Sequence, residues 1–220
     1  RFAEDDERAW LESIATQVSE ITDFRSMVVK DPEGDAERAL TQVKSVDDAY
    51  PLNGTVVLSP DIPLAQAFAG NGDLPGAVMA PLLADRLGLE AGDSFRLGTQ
   101  DFKLTATLVI EPDSAADGFA LGPRTLVATQ DLAASGLLQP GTLYETEYRM
   151  LLPPDSDLDA LETATKEAFP NSGLRWRDSR NAANCEFASR HVASRRLAKR
   201  RCSQRRALGQ CTPQVATAQT

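Results

Sequence analysis

The sequence predicts an α+β protein in which a strand-rich segment is inserted between two ends that each combine helix and strand. Both ends alternate helical and extended patterns, as split βαβ units do. The middle consists of short extended runs separated by frequent Gly and Pro. We therefore expect residues 1–52 and 142–180 to form one subdomain and residues 53–141 to form an inserted β-rich subdomain.

The first element is predicted to be an amphipathic helix over residues 5–18. Its first turn is acidic, which suits the positive end of the helix dipole. Its apolar stripe consists of Trp10, Leu11, Ile14 and Val18. Residues 19–30 and 37–46 alternate as strands and are joined by the turn "DPEGD". No strand precedes the helix in this sequence, so we expect one open sheet edge, consistent with a fragment of a longer protein.

The middle segment has extended runs at "TVVLSP" and "AVM", followed by a short helix that Pro81 starts and Gly88 ends. In "LEAGDSFRLG", Gly92 is expected to take a positive φ, and the Asp93 carboxylate is expected to bond local backbone amides. Asp93 is therefore interpreted as a turn residue and not as a catalyst. The strands "DSFRLG" and "DFKLTATLVIEP" then form a hairpin.

The remaining body returns to mixed helix and strand. A buried-type strand in "PRTLVA" precedes a helical turn that ends at Gly136. The run "TLYETEYRM" alternates as a strand, and residues 157–169 are predicted to form a helix. A last strand contains Leu174 and Trp176. This end is therefore a strand, a helix and a strand.

Charge divides the chain into an acidic body and a basic tail. Residues 1–183 contain 15 basic and 31 acidic residues, a net charge of −16, whereas residues 184–220 contain eight basic residues and one acid. The tail holds all three cysteines and the one histidine, so the body offers no thiol nucleophile, imidazole base or Cys/His metal site. The tail has three interpretations: a basic arm for nucleic acid or anionic membranes, a zinc or disulfide element, or a non-native end. We expect it to be disordered and non-native.

Catalytic signatures are missing from the sequence, which contains no GxSxG, GxxxxGK[ST], HExxH, or GxGxxG after a strand. The acids Asp155, Asp157 and Asp159 superficially suggest a calcium loop. Ala160 and Lys166 stand where such a loop needs Gly and Glu. Helix capping explains these acids instead. We expect no catalytic, cofactor-binding or metal-binding residue in this chain.

Several phrases of the body are informative because they occur together and in order. They are "SEITDFRSMV", "VKSVDDAYPLNGTVVL", "LADRLGLEAGDSFRLG", "LAASGLLQPGTLYETEYRMLLP" and "AFPNSGLRWRDSRNA". Together they resemble the large extracytoplasmic domain of MacB/FtsX-like ABC-transporter permeases, in particular the YbbP-type branch, over about residues 10–183. After "RDSRNA" the family pattern continues into a membrane helix, whereas this sequence continues into the basic tail.

The resemblance implies a porter-like α/β subdomain with an inserted β-rich, Sabre-like subdomain, on the periplasmic side of an inner membrane. It implies transport without catalysis in this chain, because a separate cytoplasmic ATPase uses ATP to drive export or extraction of hydrophobic or lipid-linked cargo. The implied partners are that ATPase, a second permease copy, and a periplasmic enzyme or lipid-like cargo, with no nucleic acid. The alternative is a periplasmic sensing or docking module that binds a ligand or partner enzyme without transporting cargo.

The candidate contact site for a partner or cargo consists of Phe119 and Leu121, two apolar residues in the Gly-containing run "DGFALG". The larger aromatic residues fall at strand and helix spacing, which indicates core positions more than a lipid groove. They are Trp10, Tyr144, Tyr148 and Trp176. The net charge of the body also disfavours nucleic acid and anionic lipid headgroups as partners of its acidic faces.

Overall fold

The computed structural model describes residues 1–112, 122–139, 141–178 and 215–219. These residues have the α+β architecture that the sequence predicted, with sheet as the dominant structure. The helices are α1 (Asp5–Ile14), α2 (Leu64–Ala69), α3 (Pro81–Leu87), α4 (Thr129–Leu132) and α5 (Leu158–Ala168). The strands are β1 (Gln17–Lys30), β2 (Glu37–Val46), β3 (Val57–Ser59), β4 (Gly76–Met79), β5 (Ser94–Leu97), β6 (Gln100–Ile110), β7 (Arg124–Ala128), β8 (Tyr144–Leu151), β9 (Arg175–Asp178) and β10 (Val215–Gln219). Within the described part of the chain, no helix has the length and apolarity needed to cross a membrane.

The chain divides into two compact units. Unit 1 contains Arg1–Phe2 and Ser19–Tyr148, and unit 2 contains Ala3–Val18 and the described part of Arg149–Gln219. The structure thus groups β1 and β2 with the middle segment, whereas the sequence grouped them with the C-terminal segment. The physical reason is strand pairing, because β2 pairs with β7 and β1 pairs with β5. The identification of a porter-like subdomain and an inserted one stays a prediction.

Six strands of unit 1 close into a ring in the order β1, β2, β7, β4, β6, β5 and back to β1. The ladders β2–β7 and β4–β6 are parallel, and the other four are antiparallel. The ring closes where Val28 and Val29 of β1 pair with Leu97 and Arg96 of β5. Closure pairs both sides of every strand in the ring, so none of the six is left as an exposed edge.

The interior of the ring is packed with apolar side chains from all six strands. Paired residues keep these side chains on one face, as with Phe24 opposite Val43 and Phe95 opposite Phe102. The two phenylalanine rings of the second pair stack at 6.1 Å, and Leu83 of α3 adds to the same core. Because the interior is filled, residues that contact other molecules must come from the outer face or from the connections.

The outer face is partly covered by a second apolar core. Val78 and Leu126 of the ring belong to it, together with Ala67 of α2, Leu58 of β3 and Tyr50. The sheet of unit 1 is therefore buried on both faces over much of its area, which accounts for strands such as β4 and β7 that are buried at every position.

The turn predictions for the middle segment are confirmed. Pro81 is at the start of α3, and Gly88 ends this helix in the left-handed conformation. Gly92 has a φ of 108°. The Asp93 carboxylate accepts a hydrogen bond from the Glu90 amide at 2.8 Å. Asp93 therefore shapes the turn into β5, as the sequence indicated.

The helices of unit 2 are fixed by an aromatic contact and a cap. The Trp10 indole N–H donates to the Thr165 hydroxyl at 3.0 Å, and its ring lies edge-on to Phe169 with centroids 6.2 Å apart. At the start of α5, the Asp157 carboxylate accepts from the Ala160 amide at 3.1 Å. The capping interpretation of this acid is confirmed.

Three local predictions differ from the structure. Helix α1 ends at Ile14 and not at Val18, because the Thr16 amide and hydroxyl both bond the Leu151 carbonyl at 2.7 Å and direct the chain into β1. Helix α2 was not predicted, since Pro and Gly residues surround it. In the tail, residues 215–219 form β10 and are not disordered, because backbone pairing with β9 holds them. The rest of the tail lies outside the described residues.

Candidate functional site

A cluster of buried charged and polar side chains lies on the outer face of the ring. We call it the Glu111 cluster, and it consists of Asp23, Lys44, Tyr50, Glu111 and Arg124. The Glu111 Oε1 atom accepts from Lys44 Nζ at 2.7 Å, from Arg124 Nη1 at 3.0 Å and from the Tyr50 hydroxyl at 3.4 Å. Arg124 Nη1 also lies 3.8 Å from Asp23 Oδ1.

The strand registers bring the cluster together. Asp23 is directly opposite Lys44 in the β1–β2 ladder. Arg124, the first residue of β7, pairs with Gln42, two residues before Lys44 on the same face of β2. Glu111 follows the last residue of β6. Four of the five residues therefore lie on or beside four strands, β1, β2, β6 and β7, and their positions are set by backbone pairing.

The charges of Lys44, Glu111 and Arg124 are almost completely removed from water, whereas Asp23 is partly exposed. The side chains of Lys44 and Glu111 are 0% and 4% exposed, and that of Arg124 is 8% exposed. The Lys44 ammonium also lies 5.2 Å from the centroid of the Tyr50 ring, within cation–π distance. Two cations and two carboxylates balance formally, which is the arrangement that buried charges need.

The Glu111 cluster cross-links β2 to the end of β6 and the start of β7 through side-chain hydrogen bonds. Glu111 Oε1 accepts hydrogen bonds from two charged donors and a hydroxyl, which connect the end of β6 to β2, β7 and Tyr50. A carboxylate held in this way resists displacement, because moving it would separate Lys44 and Arg124, both buried, from the carboxylate that lies 2.7 and 3.0 Å from them. The Glu111 cluster therefore fixes the elements that carry it.

The elements so fixed are the two ends of the connection between β6 and β7. Glu111 is the first residue after β6, and Arg124 is the first residue of β7. The Pro123 carbonyl is held as well, by the Thr41 hydroxyl at 2.9 Å and the Gln42 amide at 3.0 Å. Both ends of this connection are thus anchored to β2.

Other acidic residues have local roles. On the outer face, Arg96 bonds both carboxylate oxygens of Asp101 at 2.7 and 3.1 Å. This hydrogen bonding lowers the pKa of Asp101 and raises that of Arg96. Burial raises the pKa of Asp131 in α4. Among the described residues, no group of three His, Cys, Asp or Glu side chains is placed to hold a metal ion.

The contact residues predicted from the sequence, Phe119 and Leu121, lie outside the described residues, so their role stays a prediction. Their chain position is nevertheless informative, because both fall within the β6–β7 connection whose ends the Glu111 cluster anchors. The anchored ends and the predicted contact residues therefore belong to one stretch of chain.

Sequence reasoning missed the Glu111 cluster, although one signal for it was present. Lys44 interrupts the apolar end of β2, in "TQVKSV". The pairing of Lys30 with Glu37 across the turn, continued along both strands, puts Asp23 opposite Lys44. The contribution of Glu111 could not be found in this way, since it comes from a strand distant in sequence.

The fold and the site together define a class: an α+β domain with a packed sheet interior and an outer connection whose two ends are anchored to β2. The sequence resemblance indicated the domain of an ABC-transporter permease. No protein-family model matches the chain.

A similar protein supports this class. The chain is 28% identical over 142 residues to YbbP of Escherichia coli K12, an uncharacterised ABC-transporter permease. The match covers 64% of this chain and 17% of YbbP, so the chain spans only a small part of that relative. It confirms the resemblance to MacB/FtsX-like permeases that the sequence indicated.

Two solved structures are similar to this chain in part. One is the periplasmic region of MacB from Actinobacillus actinomycetemcomitans, with a TM-score of 0.48, 9% identity, and coverage of 77% of this chain and 73% of that chain. The other is the extracellular domain of the noncanonical ABC-type transporter YknZ from Gram-positive bacteria, with a TM-score of 0.48, 13% identity, and coverage of 78% and 82%.

Proposed function

We propose that this chain is the periplasmic domain of an inner-membrane ABC-transporter permease. In this proposal the domain couples ATP hydrolysis to the export or extraction of hydrophobic or lipid-linked cargo. The observation that carries the proposal is the 28% identity to the permease YbbP over 142 residues. ATP belongs to a separate cytoplasmic ATPase, and this chain needs no cofactor of its own. The other partners are a second permease copy and a periplasmic enzyme or lipid-like cargo.

The contact site in this proposal is the β6–β7 connection, with Phe119 and Leu121 as the residues that touch partner or cargo. The anchoring of Glu111 and Arg124 supports it, because a connection with fixed ends moves together with the strands that carry it. If ATP hydrolysis moves the domain, a connection with anchored ends moves with the strands, whereas a connection with free ends would not follow them. Packed interiors transmit strain in the same way.

A non-enzymatic role fits the use that the structure makes of its acids. The Glu111 carboxylate is engaged by Lys44, Arg124 and Tyr50. Asp93 bonds a turn amide and Asp157 caps a helix. These roles stabilise structure and leave transport by contact as the function that the geometry supports best.

The test uses the intact permease and its ATPase reconstituted in proteoliposomes, with a fluorescent acyl-chain probe as cargo. We expect the probe to leave the membrane only when ATP is hydrolysed. The matched control is an ATPase subunit that binds ATP but cannot hydrolyse it. Probe release that is equal with both subunits would contradict coupling.

The alternative, a sensing or docking module, makes a different prediction in the same system. A partner enzyme or ligand would bind the domain with equal affinity in the presence and absence of ATP hydrolysis, and no probe would move. Binding of a partner enzyme or ligand without release of the probe would therefore favour the sensing or docking module over the transport proposal.

A further inference from the structure

The ring of unit 1 is closed by a short ladder between β1 and β5, which we call the seam. Among the described residues, the seam consists of two residue pairs, which are Val28 with Leu97 and Val29 with Arg96. The β1–β2 ladder beside it runs without interruption from Ile21 to Lys30. A short ladder has few backbone hydrogen bonds to break, so it opens at a lower free energy than a long one.

A lysine side chain connects the end of β1 to the segment that leads into β5. The Lys30 ammonium donates to the Leu87 carbonyl at 3.0 Å and to the Gly88 carbonyl at 2.9 Å. These carbonyls end α3, where a cation suits the negative end of the helix dipole. Lys30 directly follows Val29 of the seam, so its two hydrogen bonds hold the seam pair next to it in place.

The conformation of Gly88 leaves room for this contact. Gly88 has a φ of 55°, and a Cβ atom added there would lie 3.4 Å from Lys30 Nζ. A second contact across the seam is weaker, because Arg96 Nη1 lies 3.7 Å from Glu33 Oε1 and the Glu33 side chain is 90% exposed. Exposed ion pairs contribute little to stability. Of these two contacts, that of Lys30 is therefore the stronger.

We infer that the seam is the opening point of the ring and that Lys30 holds it closed. When the seam opens, the end of the β1–β2 hairpin separates from β5, while β2 keeps its pairing with β7. Opening uncovers Val28 and Leu97, which are fully buried in the apolar interior. One side chain thus controls whether this part of the interior meets solvent. The inference goes beyond the permease function and does not depend on it.

Two backbone amides report opening of the seam. The Gln42 amide donates to the Pro123 carbonyl and therefore points away from β1. Arg38, four residues earlier on β2, has the same orientation, so Val29 directly opposite it points its amide away from β2 and toward β5. The amide of Arg96, the seam partner of Val29, is the second reporter. Its intrinsic exchange rate does not change when residue 30 is substituted, because the two residues are distant in sequence.

The test is native-state hydrogen exchange of the full chain at low urea concentrations. In the unsubstituted chain, we expect the seam amides to exchange about tenfold or more faster than the amides of residues 125–127, and with a weaker dependence on urea. Residues 125–127 belong to β7, which is paired on both sides and is exposed only when the ring unfolds. Equal rates with equal urea dependence would overturn the inference, because the seam would then open only with the whole ring.

The role of Lys30 is tested by Lys30→Met, which keeps the apolar stem and removes the ammonium donors. We expect exchange of the Arg96 amide to rise by about fivefold or more, because the Lys30 hydrogen bonds are lost when the seam opens. Lys103→Met, on β6 and outside the seam, is the matched control and should leave this exchange nearly unchanged. If Lys30→Met unfolds unit 1, Lys30→Gln, which retains a neutral donor, replaces it. Unchanged exchange at Arg96 in a folded Lys30 variant, or the same rise in Lys103→Met, would overturn the inference.

Discussion

Replacing the carboxylate at the centre of the Glu111 cluster should destabilise unit 1 strongly. Glu111→Gln keeps the shape of the side chain but leaves Lys44 and Arg124, both buried, without the negative charge that lies 2.7 and 3.0 Å from them. Asp23 is farther away, with its Oδ1 atom 3.8 Å from Arg124 Nη1. The substitution therefore leaves the positive charges of Lys44 and Arg124 buried without the Glu111 carboxylate.

The magnitude follows from these distances. Two unit charges 2.7 Å apart attract by about 6 kcal/mol at an effective dielectric constant of about 20, before desolvation is subtracted. Breaking a buried ion pair by removing one partner costs about 3–5 kcal/mol. We expect about 3 kcal/mol for Glu111→Gln, the low end, because the amide oxygen can still accept from Lys44. The double variant Lys44→Met/Glu111→Gln should cost less than the sum of the two single substitutions by about 1 kcal/mol or more.

The assay is native-state hydrogen exchange of the β2 and β7 amides, which reports on the ring directly. Tryptophan fluorescence during urea unfolding is the internal control, since both tryptophans lie in unit 2. Arg96→Ala, which breaks the partly exposed pair with Asp101, is the surface comparison and should change exchange in the ring much less than Glu111→Gln does. A loss below about 1 kcal/mol for Glu111→Gln, or strict additivity in the double variant, would refute the account of the cluster.

Further substitutions test the local arguments. Asp101→Asn should lower the free energy of unfolding at pH 7, and this loss should disappear as the pH falls through the lowered pKa of Asp101. Asp131→Asn should raise the free energy of unfolding at pH 7, and this gain should disappear as acidification protonates Asp131 in the unsubstituted chain. Urea unfolding at pH 7 and at acidic pH checks these opposite signs. Gly76→Ala would place a Cβ atom against a backbone carbonyl of α2, so its melting temperature should fall far more than that of Gly34→Ala, where the nearest atom to the new Cβ is 4.0 Å away. Asp157→Ala should cost about 1 kcal/mol in urea unfolding through loss of the α5 cap.

The parts of the fold that depend on local sequence were predictable. The turn at Gly92 and Asp93 and the cap at Asp157 need only neighbouring backbone groups, and the sequence indicated each of them. The β1–β2 hairpin follows from alternation on either side of one turn. These features are short-range, so periodicity and turn chemistry contain the necessary information.

The parts that depend on distant pairing were not predictable in the same way. Ring closure requires β1 to pair with β5 at Val28 and Val29, and nothing near these residues specifies that partner. The Glu111 cluster likewise joins residues from strands far apart in the chain. Strand β10 shows the same limit, because backbone pairing orders a segment whose composition favours disorder. The sheet partner, and not the strand's own sequence, determines these outcomes.

The central claim is that the β6–β7 connection is the contact site of a permease domain, and transport by the intact permease tests it most directly. The measurement is ATP-driven release of the fluorescent acyl-chain probe by the Phe119→Ser/Leu121→Ser variant. Leu143→Ser is the matched control, because Leu143 is 92% exposed and lies outside this connection. We expect release to fall at least tenfold in the double variant and to be unchanged in the control. Release at the unsubstituted rate by a folded double variant would contradict the claim.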